Sequence, residues 1–143
     1  MSQPTRTIKA LGEVSIRVTN LDNMSRFYEG ALGLEVLRRE ESFVFYKIAV
    51  GFADHPQVFA LFDASNRGFI ETKSEQLSPN HSTLHHVAFN IALEDFEAEK
   101  TRLEALGIKV IATVHEWLHV RSQYFSDPEG NLIELVCYDE NVG

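Results

Sequence analysis

Three side chains that can hold a divalent cation, Glu13, His86 and Glu134, stand at positions that an internal repeat makes equivalent. The run Leu84-His85-His86-Val87-Ala88-Phe89-Asn90-Ile91 has the same shape as Leu11-Gly12-Glu13-Val14-Ser15-Ile16-Arg17-Val18. Setting Glu13 on His86 places Val14 on Val87, Ser15 on Ala88, Ile16 on Phe89 and Val18 on Ile91. A helical pattern and then a glycine follow each run, Gly33 in the first copy and Gly107 in the second. One supersecondary unit used twice explains this better than two coincidences. A second alignment, Asn131-Leu132-Ile133-Glu134-Leu135 on Gln57-Val58-Phe59-Ala60-Leu61, sets Glu134 against Ala60. The four equivalent positions are therefore Glu13, Ala60, His86 and Glu134. Three can ligate a metal and the fourth cannot. Two carboxylates and one imidazole suit Mn²⁺, Fe²⁺ or Zn²⁺, with water at the open positions. A carboxylate between Ile133 and Leu135 must face water, a cation or a metal, because an unpaired buried charge is costly. Its alternative is the exposed face of an edge strand.

The elements that must carry these residues are legible from periodicity. Residues 11–19 alternate, with Val14, Ile16 and Val18 on one face, as a half-buried strand does. Asn20 or Asp22 can cap a helix bearing Met24, Phe27, Tyr28, Ala31 and Leu32, which Gly33 ends. Strands are expected at Leu34–Leu37, Phe43–Val50 and Val58–Phe62, with a turn at 39–42 and a loop at 51–56. The polar stretch 63–83 reads as a joint long enough to hold a helical turn or cover a site. In the second copy a helix runs from about Glu94 to Leu106, with Phe96, Leu103 and Leu106 inward. Strands follow at Ile108–Val114, at 115–125 with a bend near Trp117, and at Leu132–Tyr138 after the turn Ser126-Asp-Pro-Glu-Gly-Asn131. The fold class is α+β: strand, helix and three strands, given twice. The boundaries are module 1 at about 10–63, a linker at about 64–83 and module 2 at about 84–138, within one domain spanning 1–143.

Composition narrows the function. A net charge of −8 argues against nucleic-acid or anionic-membrane surfaces, which need clustered cations. One cysteine, Cys137, rules out an intrachain disulfide and fits a reducing, cytoplasmic compartment. The first nine residues are polar, unlike a signal peptide, and no apolar run approaches the ~18 residues of a membrane span.

Three segments resemble the vicinal oxygen chelate superfamily, which includes glyoxalase I, bleomycin-resistance proteins, fosfomycin-resistance enzymes, methylmalonyl-CoA epimerase and extradiol dioxygenases. They are Val14–Val18 through Leu21-Asp22 and Phe27-Tyr28 to Leu32-Gly33-Leu34; His86-Val87-Ala88-Phe89; and Tyr124-Phe-Ser-Asp127-Pro128-Glu-Gly130-Asn131-Leu-Ile-Glu134-Leu135. The resemblance covers about residues 11–138. It implies paired βαβββ modules forming a half-open, barrel-like sheet, with ligands from the first and last strands of each module. His86 and Glu134 match that pattern. Glu13 departs from the usual His or Gln, and Ala60 breaks the four-ligand set of glyoxalase I and the epimerase, which counts against those two activities.

Thr113-Val-His115, then Tyr124, Asp127-Pro128, Gly130 and Glu134 follow the order of the extradiol signature, with Gln123 where that signature has an apolar residue. The resemblance therefore implies a metal-dependent enzyme gripping two vicinal oxygens of a small molecule. An extradiol-type dioxygenase with Fe²⁺ or Mn²⁺ ranks first. A glyoxalase-like lyase or isomerase, fosfomycin-type thiol transfer below it, and a metal-free antibiotic binder are the alternatives, and Zn²⁺ or Ni²⁺ could also fill the site. A homodimer is expected by the same resemblance, since open sheets have edges to cover.

Three further side chains are candidates beside the metal. His115 and His119 can act as acid or base, since imidazole titrates near neutrality, or can be rim histidines. Tyr124 can donate to a substrate oxyanion, or can be core packing with its hydroxyl at the rim. Strand alternation turns His85 away from His86, and Arg17 and Arg121 either hold an anionic substrate or are solvated. His55 and His81 lie in loops. Phe43, Phe45, Phe52, Phe59, Phe62 and Trp117 are expected mostly in the core, with some lining an apolar pocket.

Overall fold

A computed structural model describes residues 7–66 and 84–143. The polar lead-in up to residue 6 and most of the joint, including His81, lie outside the described residues. The backbone divides into two compact units, Met1–Phe69 and Ile70–Gly143.

The first unit runs β1 (Glu13–Val18), α1 (Leu21–Arg26), a π turn (Phe27–Ala31), β2 (Glu35–Glu40), β3 (Phe43–Val50) and β4 (Pro56–Asp63). Its sheet has the order β1-β4-β3-β2, with β1 parallel to β4 and the other pairs antiparallel. The Asn20 side chain accepts a hydrogen bond from the Asn23 amide at 2.9 Å, the cap the sequence suggests. Met24 and Tyr28, four residues apart, are fully buried with Val44, Tyr46, Phe59 and Leu61. The Tyr28 and Phe59 rings lie 5.0 Å apart. Tyr46 donates to Glu29 Oε2 at 2.9 Å, tying β3 to the π turn.

The second unit repeats the plan: β5 (Val87–Asn90), a 3₁₀ turn (Leu93–Asp95), α2 (Phe96–Ala105), β6 (Ile111–His115), a second 3₁₀ turn (Glu116–Leu118), β7 (Val120–Ser126) and β8 (Leu132–Tyr138). Its order, β5-β8-β7-β6, is that of the first unit element for element. Gly33 and Gly107 close the two helices at φ +67° and +83°, a region that a Cβ disfavours. The register agrees with the repeat: Ser15 pairs with Ala60 as Ala88 pairs with Glu134. No described helix is long and apolar enough to cross a membrane.

Several expectations need correction. β2 begins at Glu35 and runs on to Glu40, with a bulge between Val36 and Arg38, so the turn shrinks to 41–42. β6 begins three residues late, at Ile111. Leu106 is 56% exposed, because α2 ends at Ala105 and the seven-residue spacing that returns Phe96 and Leu103 to one buried face does not reach it. Phe52 and Trp117 are 63% and 80% exposed rather than in the core. Both sit on short 3₁₀ turns where the chain leaves its sheet. The bend near Trp117 is real. His119 resumes the strand from a left-handed φ of 56°.

Candidate active site in the second unit

Alternation along β7 and β8 decides which side chains meet. Gln123, Phe125, Ile133, Leu135 and Cys137 are buried. Gln123 Nε2 donates to the carbonyl of Phe96 at the start of α2, which marks this as the face toward the helix. Ser122, Tyr124 and Glu134 belong to the opposite face. Tyr124 and Glu134 are direct cross-strand partners. The turn before β8 is fixed by Asp127, whose Oδ1 accepts from the amides of Glu129 at 3.0 Å and Asn131 at 2.9 Å. Its Oδ2 accepts from Asn131 Nδ2 at 2.8 Å.

Glu134 is 7% exposed, yet both its oxygens are used. Oε1 lies 3.0 Å from His86 Nε2, and Oε2 accepts from the Ser122 hydroxyl at 2.6 Å. His86 immediately precedes β5, which runs parallel to β8 with Ala88 opposite Glu134, and this brings the imidazole beside the carboxylate. The Tyr124 hydroxyl lies 2.8 Å from His115 Nε2. Burial, and then the charge of Glu134, push the Tyr124 pKa up, with a hydrogen bond to Ser122 pulling the other way. The phenol therefore keeps its proton at neutral pH and remains a donor.

The structure brings His86, Glu134, Tyr124 and His115 into one cluster on the second unit. His119 is placed elsewhere: its Nδ1 donates to the Val142 carbonyl at 2.6 Å, pinning residues 139–142 against the start of β7. Arg121 pairs with Asp139 at 2.8 Å. Glu13 opens β1 of the first unit, exposed, with its Oε2 accepting from Ser15. Two partners escaped the sequence reading. His85 Nδ1 sits 2.8 Å from His86 Nδ1, since both histidines precede β5 and strand alternation does not govern them. Ser122 is fully buried, and the one available signal was its i−2 spacing from Tyr124.

The donor chemistry of the pair fits a divalent cation. An imidazole nitrogen and a carboxylate oxygen 3.0 Å apart have the spacing of two neighbouring donors on one ion at bond lengths of about 2.1 Å. Among the described residues no group of three His, Cys, Asp or Glu side chains is gathered to hold a metal.

The model of the Glyoxalase/Bleomycin resistance protein/Dioxygenase superfamily matches residues 10–135. The chain belongs to this superfamily. As a superfamily member it shares its fold with solved structures of similar size. An integron cassette protein from the mobile metagenome of the Halifax Harbour sewage outfall is 26% identical, with a TM-score of 0.66 over 91% of this chain and 99% of that one. Lactoylglutathione lyase from Agrobacterium tumefaciens is 25% identical, with a TM-score of 0.66 over 92% and 96% of the two chains. Glutathione transferase FosA from Serratia marcescens is 35% identical over 65 residues, 43% of this chain. That match spans 42% of the relative's own length.

Proposed function

We propose that this superfamily member is a metal-dependent enzyme acting on a small molecule through two vicinal oxygens, and that its leading activity is extradiol-type ring cleavage. The observation that carries this is the His86–Glu134 pair with the Tyr124–His115 hydrogen bond beside it. His86 and Glu134 would hold the ion; the sequence repeat alone nominates Glu13 as a further donor, and Fe²⁺ or Mn²⁺ suits a set of carboxylates and an imidazole. Once bound, such an ion supplies Lewis acidity to the two substrate oxygens.

The chain's own residues do the rest. Tyr124 offers a proton donor where charge develops on a substrate oxygen, and His115 Nε2 is the atom that exchanges a proton with the phenol. The order His115, Tyr124, Asp127, Gly130, Glu134 supports ring cleavage over the lyase reading, and Ala60 in place of a fourth donor supports it further.

A second reading, transfer of glutathione to a small electrophile, is favoured by the likeness to FosA. One set of assays separates these readings. Protein purified without chelator is analysed for bound metal, then loaded with Fe²⁺ or Mn²⁺ and followed for oxygen consumption with a catechol panel. In parallel, glutathione consumption is followed with a panel of small electrophiles. Stoichiometric metal that Glu134→Ala removes, with oxygen uptake on catechols, is the expected result. Thiol consumption without oxygen uptake selects the transferase. Protein that stays metal-free after incubation with Fe²⁺, Mn²⁺, Zn²⁺ and Ni²⁺ overturns both in favour of a plain binder.

A further inference from the structure

Glu134 could present a cation with either oxygen or with both. We propose that Ser122 is a positioning residue that makes Glu134 a one-oxygen donor, and that it thereby selects small transition ions over Ca²⁺. This rests on the metal-dependent reading above.

Ser122 is fully buried and its hydroxyl donates to Glu134 Oε2 at 2.6 Å, while Oε1 is left toward His86 at 3.0 Å. The hydroxyl has little freedom to leave. β7 is an inner strand, and Ser122 is paired on one side with Thr113 of β6 and on the other with Val136 of β8. Its backbone is therefore held by ladders on both flanks. Tyr124, two residues on, sits opposite Glu134 in the same register, so the carboxylate is confined by neighbours fixed in one sheet.

The consequence is chemical. Ca²⁺ takes six to eight oxygens and commonly uses a carboxylate through both of them. Smaller ions with shorter bonds accept one carboxylate oxygen and an imidazole nitrogen readily. A serine that occupies Oε2 withholds the bidentate mode and orients Oε1. Partners of this kind typically contribute 10–100-fold to metal affinity. Neither charge nor conspicuous spacing advertises such a residue in the sequence.

The test measures Kd for Mn²⁺ and for Ca²⁺ by calorimetry on the full chain, for wild type and for Ser122→Ala, Ser122→Thr and Ser122→Val. Melting of the metal-free proteins is recorded alongside. Threonine keeps the hydroxyl and valine is its near-isostere without one, so that pair carries the comparison even if the alanine protein folds poorly. The expected result is a loss of about tenfold or more in Mn²⁺ affinity for Ala and Val. Ca²⁺ affinity should hold or rise, and Thr should stay near wild type. Equal Mn²⁺ affinity in Ser122→Val and Ser122→Thr overturns the proposal, whether both are strong or both weak. If the wild type binds Mn²⁺ and Ser122→Ala binds it as well, the positioning role alone fails. A wild type that takes up no metal overturns the underlying reading and this one with it.

Discussion

At the scale of single residues, the chemistry rests on a carboxylate that is buried but never unpaired. Glu134 sits between Ile133 and Leu135 on the chain, and its charge is answered by His86 on one oxygen and Ser122 on the other. Tyr124 stands opposite it in the strand register, and its hydroxyl is anchored by His115. Removing that hydroxyl should therefore harm turnover and spare both fold and metal. Tyr124→Phe is expected to lower kcat about 10²-fold, with KM, metal content and melting temperature nearly unchanged, since a positioned proton donor contributes on that order. Steady-state kinetics with a parallel metal analysis check it, and a variant as active as wild type would remove Tyr124 from the mechanism. His86 and Glu134 stand out in sequence because the repeat forces a comparison between equivalent strand positions. His85 and Ser122 do not, for physical reasons. One lies just outside the strand whose alternation would have placed it. The other is a neutral hydroxyl whose partner is twelve residues away across a turn. The contact of His119 with Val142 spans 23 residues and leaves no periodic trace.

At the scale of elements, each helix is bound to its sheet by a polar tie as well as by apolar packing. In the second unit Gln123 holds the first carbonyl of α2, and in the first unit Tyr46 holds Glu29 of the π turn. Tyr46 is fully buried, and burial is the main cause that pushes its pKa well above the usual tyrosine range. The folded chain thus keeps the phenol proton more tightly than the unfolded chain. Its contribution to stability is complete below the unfolded pKa of about 10 and is lost as pH climbs past it. Tyr46→Phe should cost roughly 1 kcal/mol near neutrality through the lost bond to Glu29. The same variant should flatten the fall in melting temperature above pH ~10. Melts from pH 7 to 11 test this, and parallel curves for the two proteins would refute it. Element order and type were legible because strands of period two and helices closed by glycine leave strong signals. β3 and β8 have the bounds that alternation suggests, whereas the bulge in β2 and the late start of β6 depend on pairing partners. Aromatic residues misled where local shape prevailed over hydrophobicity, as at Trp117 on its exposed turn.

At the scale of the whole molecule, two units of one topology carry different chemistry at equivalent strand positions. The second has His86 and Glu134, and the first has Glu13 and the inert Ala60. Each sheet has a strand pair of the same register, Ser15 with Ala60 and Ala88 with Glu134, so the two units differ at these positions in side chain and not in backbone pairing. An ion held by His86 and Glu134 binds the folded chain and not the unfolded one, so it must stabilise the fold. A ligand that binds only the folded state adds about 2.7 kcal/mol at a hundred times its Kd. For a chain near this length that raises the melting temperature by roughly 5–10 °C. Removing the metal with a chelator should lower it by as much. Glu13→Ala isolates the first unit's share, because it leaves His86, Glu134 and their partners intact. The expected outcome is that this variant melts like wild type without metal and gains only a fraction of the shift with Mn²⁺ or Fe²⁺. A full shift in Glu13→Ala would assign the ion to the second unit alone and make Glu13 a solvated carboxylate. In that case two protein donors plus solvent complete the ion's shell.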